Sequence, residues 1–271
     1  MSDNGTAISV LRTKLHRPPV VTNHLHRKRL LDRLNRHRNR PLTLVSAPAG
    51  YGKSMLVSHW LETCDIRSGW ISLDENDNGL RAFTTYFIAA VESLFPGACR
   101  KTQTMISGPD LPPVADLGFT LLDELDRIAQ PCIIVLDDYH LVTETLVHNL
   151  LTELLKHPPQ SFHLVIIGRQ DPLLPISSLR AKSLVTEVRT NDLCLNQRET
   201  IELLRLITGK QIGSHIAATL RKQTEGWVTG LCLAAISMRL KDNPEPTSLE
   251  PSADAHYVMQ YLFNEVFAKQ P

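Results

Sequence analysis

Lys53 and Ser54 stand side by side after a run of small residues, A-P-A-G-Y-G from Ala47 to Gly52. An ammonium next to a hydroxyl at this place suits one chemistry. Lys53 offers a mobile positive charge to the β- and γ-phosphates of a nucleotide, and Ser54 offers an oxygen to the Mg2+ that accompanies them. Far along the chain, Asp137 and Asp138 follow the apolar run C-I-I-V-L, Cys132 to Leu136. Ionised carboxylates at the end of a buried strand are costly unless a cation meets them, and nucleotide-bound Mg2+ is a natural partner. Asp137 would hold the ion, directly or through water. Asp138 is placed to orient or deprotonate an attacking water. Arg169 follows H-L-V-I-I-G, His163 to Gly168. It could sense the γ-phosphate and balance the charge that develops on transfer, or pair locally with Asp171.

These groups need elements to hold them. Leu42 to Ser46 is a short β-prone apolar run, and Met55 to Thr63 is an amphipathic one. Strand, glycine-containing loop, Lys-Ser and helix in that order make a phosphate-binding loop. Pro48, Ala49, Gly50, Tyr51, Gly52, Lys53, Ser54 and Met55 are then the residues whose N–H groups and side chains would surround a phosphate. Successive N–H groups converge on the anion, and the helix presents its partially positive N-terminus. Gly50 and Gly52 are expected to keep side chains out of the phosphate space. The usual pattern opens with Gly; this loop opens with Ala47 and Pro48, at unchanged spacing.

Around the loop, strands and helices alternate. Gly69 to Leu73 reads as a second strand, followed by D-E-N-D-N, Asp74 to Asn78. A helix follows with Leu80, Phe83, Phe87, Val91 and Leu94 on one face. Asp77 and Asn78 are expected to cap it, although a polar loop at a strand's C-terminal end also faces the ligand in such sheets. Residues 96–114 read as a loop, rich in proline and glycine, and a helix spans about 115–129. Cys132 to Leu136 is a strand that emerges directly into Asp137 and Asp138. Leu146, Leu150, Leu151 and Leu154 mark a helix, and strands follow at 163–168 and 184–188. The fold expected is α/β: a parallel five-stranded P-loop NTPase sheet flanked by helices, then a small all-helical domain.

The division expected is a lead-in over 1–24, a nucleotide-binding domain over 25–195 and a helical domain over 196–241. Asn196 and Glu199 have capping-box spacing, with further helices at about 214–224 and 227–240. Residues 242–254 read as a proline-rich linker. Ala255 to Ala268 carries an apolar face at helical spacing and reads as the start of a further domain cut short. Leu30, Leu31 and Leu34 make an apolar stripe in the basic stretch Leu25 to Arg40. With no aromatic residue interleaved to stack on bases, that stretch reads as a solvated helix face rather than a nucleic-acid patch.

Composition narrows the class. The 271 residues are 42% hydrophobic and 21% charged, with a net charge of +1. No global field draws such a chain to nucleic acid or membrane. Five cysteines are scattered, odd in number and never in a C-x-x-C pair, which argues against a disulfide framework or zinc site. There is no signal-peptide pattern at the start and no apolar stretch near the roughly 18 residues of a membrane span. The expectation is a soluble, cytoplasmic protein.

Several motifs in register carry a more specific likeness: T-K-L-H-R-P-P from Thr13, A-P-A-G-Y-G-K-S, G-W-I-S-L-D-E-N-D-N, V-L-D-D-Y-H-L, G-R-Q-D-P from Gly168, and T-E-G-W-V-T-G-L from Thr224. From about Leu11 onward the sequence resembles the nucleotide-binding module of STAND signal-transduction ATPases. More narrowly it resembles the large ATP-dependent LuxR-type transcription activators of the maltose-regulon kind. The resemblance implies a module that holds ADP at rest and ATP when active. It places phosphate and metal on Lys53 and Ser54, Mg2+ on Asp137, water on Asp138 and the γ-phosphate on Arg169. Leu25 and Arg27 fall where the family's N-terminal segment approaches the base. Gly226 and Trp227 fall where relatives have a Gly-x-Pro turn facing the adenine, and here the proline is absent. Inducer sensing and DNA binding through a C-terminal helix-turn-helix would belong to a longer parent.

Three functions compete. The leading one is a slowly hydrolysing switch whose ATP or ADP state is coupled to self-association and transcription. A P-loop kinase or housekeeping ATPase with steady turnover is the alternative, opposed by the lack of a recognisable acceptor site or basic lid. An interaction domain with a vestigial loop is opposed by the intact set Lys53, Ser54 and Asp137.

Overall fold

Apolar runs too short for helices become strands in the computed structural model, which describes residues 10–20 and 24–240. They are β1 (Leu42–Ser46), β2 (Arg67–Ser72), β3 (Cys132–Asp137), β4 (Phe162–Gly168) and β5 (Val185–Arg189), in one sheet ordered β2-β3-β4-β1-β5. The pairs β2–β3, β3–β4 and β1–β4 are parallel. Every residue of β1, β3 and β4 is buried, as expected where both faces of a parallel sheet are covered and the strands read as continuous apolar runs.

The described helices are α1 (Lys28–Arg36), α2 (Lys53–Glu62), α3 (Leu80–Leu94), α4 (Arg100–Ser107), α5 (Val114–Asp126), α6 (Thr145–Lys156), α7 (Ile176–Ala181), α8 (Thr190–Leu193), α9 (Gln197–Thr208), α10 (Ser214–Thr224) and α11 (Val228–Leu240). The described residues fall into two compact units, each assembled from separated stretches of chain. One comprises 10–19, 31–46 and 57–188, and the other comprises 20, 24–30, 47–56 and 189–240. The expected boundary at 195/196 therefore lies inside the second unit. Linker 242–254 and segment 255–271 lie outside the described residues. No described helix is long and apolar enough to cross a membrane.

In the first unit the sheet carries one large core. Leu44, Ile134, Leu136 and Ile166 from the strands meet Phe83 and Phe87 of α3, Leu121 of α5 and Leu150 of α6. The helical stripes read from sequence are buried here, except that Leu94, at the end of α3, is half-buried and Leu146, at the start of α6, is exposed. Two local expectations are corrected. Residues 96–114 are not a continuous loop, because α4 lies between the prolines. Its N-terminal N–H groups on Lys101 and Thr102 are accepted by the carboxylate of Glu124 on α5, at 2.7 and 3.1 Å. A cap supplied from a distant helix leaves no local signature.

Nor do Asp77 and Asn78 cap α3, whose N-cap is Gly79 with no side-chain bond. Asp77 closes a capping box with Asp74 around the 3-10 turn Glu75–Asp77. Asn78 Oδ1 instead accepts the N–H groups of Thr143 and Glu144, both at 2.8 Å.

In the second unit, Asn196 and Glu199 make the expected reciprocal capping box at the start of α9. Leu195, Leu204, Leu220, Leu231 and Ala235 form the core of α9, α10 and α11, with Leu25 packed against it.

His163 on β4 is a polar group inside the sheet's core, 4% exposed and 3.0 Å from Thr43 Oγ1 through Nε2. Burial pushes its pKa down to about 4, so the imidazole is neutral when folded at neutral pH. The unfolded chain takes up that proton below its ordinary value of about 6.5. Stability from this site is therefore full above that value and is lost as the pH falls towards about 4. Between about pH 7 and about pH 5, urea denaturation should show a loss of about 2 kcal/mol that His163→Gln largely abolishes.

Candidate functional site

Beyond Ser46 the chain leaves the sheet through Ala47–Gly52 and enters α2 at Lys53. Gly50 and Gly52 both have left-handed backbones, at φ +80° and +74°, which L side chains adopt with strain. Lys53 is buried, and its Nζ donates to Pro48 O at 2.9 Å. Ser54 is half-buried in the first turn of α2. The two glycines differ in role. A Cβ on Gly52 would meet nothing within 4 Å, whereas one on Gly50 would lie 2.6 Å from Thr229 Oγ1 and 2.7 Å from Trp227 Nε1. Only Gly52 leaves open space, as expected of both; Gly50 makes room for the beginning of α11.

In the first unit, β3 ends on Asp137, which is 5% exposed and in register with Ser72 of β2. Its carbonyl accepts the N–H of Leu73 at 3.0 Å. Its Oδ1 accepts the N–H of Asp138 at 3.0 Å. Asp138 turns the chain through a left-handed backbone, φ 55° and ψ 33°, which Asp tolerates better than most residues. Its carboxylate is solvent-exposed, and His140 Nδ1 lies 3.8 Å from Asp138 Oδ1. Arg169, half-buried, follows Gly168 at the end of β4, and Gly168 is in register with Ser46 of β1. Parallel strands deliver all their C-termini to one edge. Asp137, Arg169 and the end of β1 at Ser46 therefore lie on the same side of the sheet, and β1 and β3, with β4 between them, are about 10 Å apart.

The residues expected near the base lie in the second unit. Arg27 is buried and donates through Nη2 to Leu193 O at 2.8 Å, with Nε 3.9 Å from Glu199 Oε1. Burial lowers the pKa of its guanidinium, opposed by Glu199. Leu25 is partly buried against the helical core. Trp227 is held on the loop itself, its Nε1 donating to Ala49 O at 3.1 Å.

Sequence reasoning missed two groups. Thr229 donates to Gly50 O through Oγ1 at 3.0 Å. Lys14, in the T-K-L-H-R-P-P motif, reaches the loop after β2, 2.7 Å from Asp74 Oδ2 and 2.7 and 2.8 Å from the two oxygens of Asp77. Both stand in motifs quoted from the sequence, but only as unexplained positions.

Comparison with known proteins gives the same picture. The model of the AAA ATPase domain family matches residues 24–167. The chain belongs to that family. Curated relatives include the HTH-type transcriptional regulator MalT of Yersinia pestis (strain Pestoides F), 33% identical over 259 residues, covering 95% of this chain and 29% of the relative. MalT of Serratia proteamaculans (strain 568) is 34% identical, covering 95% of this chain and 28% of that one. The chain thus spans less than a third of the length of these relatives.

Among solved structures, a Pyrococcus horikoshii signal-transduction ATPase with numerous domains and a tetratricopeptide-repeat sensor matches at TM-score 0.58. It is 18% identical, covering 94% of this chain and 34% of that one. A Walker-type ATPase of Pyrococcus abyssi matches at TM-score 0.53 and 12% identity, covering 88% of this chain and 72% of that one. These likenesses show the P-loop NTPase fold.

Membership in the AAA ATPase domain family implies a nucleotide with its Mg2+, and the residues present fit both. The open side of Gly52, the ammonium of Lys53 and the N-terminal turn of α2 suit a phosphate. The hydroxyl of Ser54 and the carboxylate of Asp137 are oxygen donors of the hard kind Mg2+ takes. The loop following β2 is fixed before any ligand arrives. Burial opposes the charged form of Lys14, but hydrogen bonds to Asp74 and Asp77 outweigh it and raise the pKa of the ammonium. Asp77 is 1% exposed, so removing its cation strands a buried charge. Lys14→Met should lower the unfolding free energy by about 3 kcal/mol, and adding Asp77→Asn should recover part of the loss, both measured in urea.

Proposed function

We propose that this chain is the nucleotide-responsive ATPase module of a transcription regulator. In this reading it binds Mg-ATP or ADP at the loop Pro48–Met55 and hydrolyses ATP slowly. Its nucleotide state governs self-association of a longer cytoplasmic protein. The observation that carries the reading is the glycine loop itself, which opens through two left-handed glycines onto Lys53 at the start of α2.

In this mechanism Lys53 and the loop N–H groups bind the β- and γ-phosphates. Ser54 and Asp137 hold Mg2+, which supplies charge neutralisation to the triphosphate when bound. Asp138, exposed beside that carboxylate, orients a water for in-line attack and accepts its proton. Arg169 balances the charge that grows on the γ-phosphoryl oxygens. Recognition of the base falls in this reading to Leu25 and Arg27, and Trp227 Nε1 donates to Ala49 O.

Likeness to MalT regulators supports a regulatory setting, in which DNA and inducer are bound by parts of the parent outside this chain. Moving a two-state module from mostly off to mostly on takes about 5.5 kcal/mol of differential binding, which contacts to the γ-phosphate would supply.

Calorimetric titration of ATP and ADP with Mg2+ tests the proposal. The wild-type chain should bind both, Lys53→Ala should lose at least about ten-fold in affinity, since one charge-assisted hydrogen bond is worth about 1.5–3 kcal/mol, and Asp137→Asn should lose the Mg2+ dependence. Absence of binding by the wild type would overturn the reading, and rapid multiple turnover would replace the switch with a housekeeping ATPase.

A further inference from the structure

The start of α11 grips the glycine loop by its carbonyl oxygens. Trp227 Nε1 donates to Ala49 O at 3.1 Å. Thr229 donates twice to Gly50 O, from its N–H at 3.1 Å and from Oγ1 at 3.0 Å. The grip is tight on both sides of the indole. A Cβ on Gly50 would fall 2.7 Å from Trp227 Nε1, and one on Gly230 would fall 2.7 Å from Trp227 Cε3. The turn that delivers the indole is fixed as well. Gly226 has φ +78°, a Cβ on it would sit 2.8 Å from Leu195 O, and its own carbonyl accepts the N–H of Leu195 at 2.8 Å.

Peptide geometry gives this grip a consequence for the loop. In a planar trans peptide the C=O of one residue and the N–H of the next point in opposite directions. Anchoring Ala49 O on Trp227 therefore aims the N–H of Gly50 away from α11. Anchoring Gly50 O on Thr229 does the same for the N–H of Tyr51. Two successive N–H groups facing the same way are the elements of an anion-binding nest. A glycine loop left to itself would sample many other orientations of these peptides.

We propose that Trp227 and Thr229 are positioning residues for phosphate binding: they set the orientation of the Ala49–Gly50 and Gly50–Tyr51 peptides so that the loop N–H groups are pre-aimed at the nucleotide's phosphates. This rests on the nucleotide-binding reading above and deepens it. Trp227 then serves the phosphate end of the ligand and not the adenine, the end its counterpart in the resembling family would face. Preorganisation of this kind acts on affinity by removing an ordering cost that binding would otherwise carry.

The test uses the whole chain, with Mg-ADP and Mg-pyrophosphate as two probes in parallel titrations. Thr229→Val keeps the shape of the side chain and removes one hydrogen bond, so both affinities should fall roughly five-fold. Thr229→Ser restores the hydroxyl and should restore both. Trp227→Phe should weaken both probes by a similar factor. Binding by the wild type with no change in Thr229→Val and Trp227→Phe would overturn the positioning role while leaving the nucleotide reading intact. Equal loss in Thr229→Ser and Thr229→Val would overturn it for the hydroxyl. Loss of ADP affinity with unchanged pyrophosphate affinity in Trp227→Phe would overturn it for the indole, assigning that ring to the base. A wild-type chain that binds neither probe would sink the nucleotide reading itself, and this inference with it.

Discussion

A carboxylate kept almost out of water at the tip of a β-strand is the constraint around which the first unit makes sense. Apolar side chains fill β3 up to its last residue, and nothing about the core requires that residue to be charged. Asp137 is nonetheless there, 5% exposed, with one oxygen accepting the backbone N–H of the next residue. Desolvating an anion is costly, and the sheet bears that cost where its parallel strands all release their chains. The same edge emits Arg169 from the neighbouring strand β4. Opposite charges thus leave the ends of two adjacent parallel strands, β3 and β4.

Much of this was legible beforehand for physical reasons. Runs such as I-I-V-L and L-V-I-I are unambiguous because strands buried on both faces cannot afford polar residues, and β3 and β4 lie within a residue of their expected limits. The capping box at Asn196 and Glu199 was legible because both partners are three residues apart and the bond is local. What escaped was whatever depended on a distant partner. α4 owes its first turn to Glu124 on another helix. Asp77 looked like a helix cap, yet Lys14, sixty-three positions earlier, claims it.

The chemistry of the loop shows the same division. Residue types suggested phosphate and metal roles for Lys53 and Ser54 through their spacing. They also suggested that both glycines clear space for phosphates. The backbone shows that one of the two is small for the sake of a tryptophan and a threonine more than 170 positions downstream. A motif tells which residues are needed and leaves open what each one is needed against.

Asn78 carries a last consequence. A single amide oxygen takes two N–H groups at the entrance to α6, while its nitrogen donates to Thr143 Oγ1 at 2.9 Å. The segment following β2 and the segment following β3 are thereby riveted together by one side chain. Parting them would exchange three hydrogen bonds of one side chain for bonds to water. The turn at Glu75–Asp77 and the entrance to α6 are joined directly, through Asn78, with no intervening element.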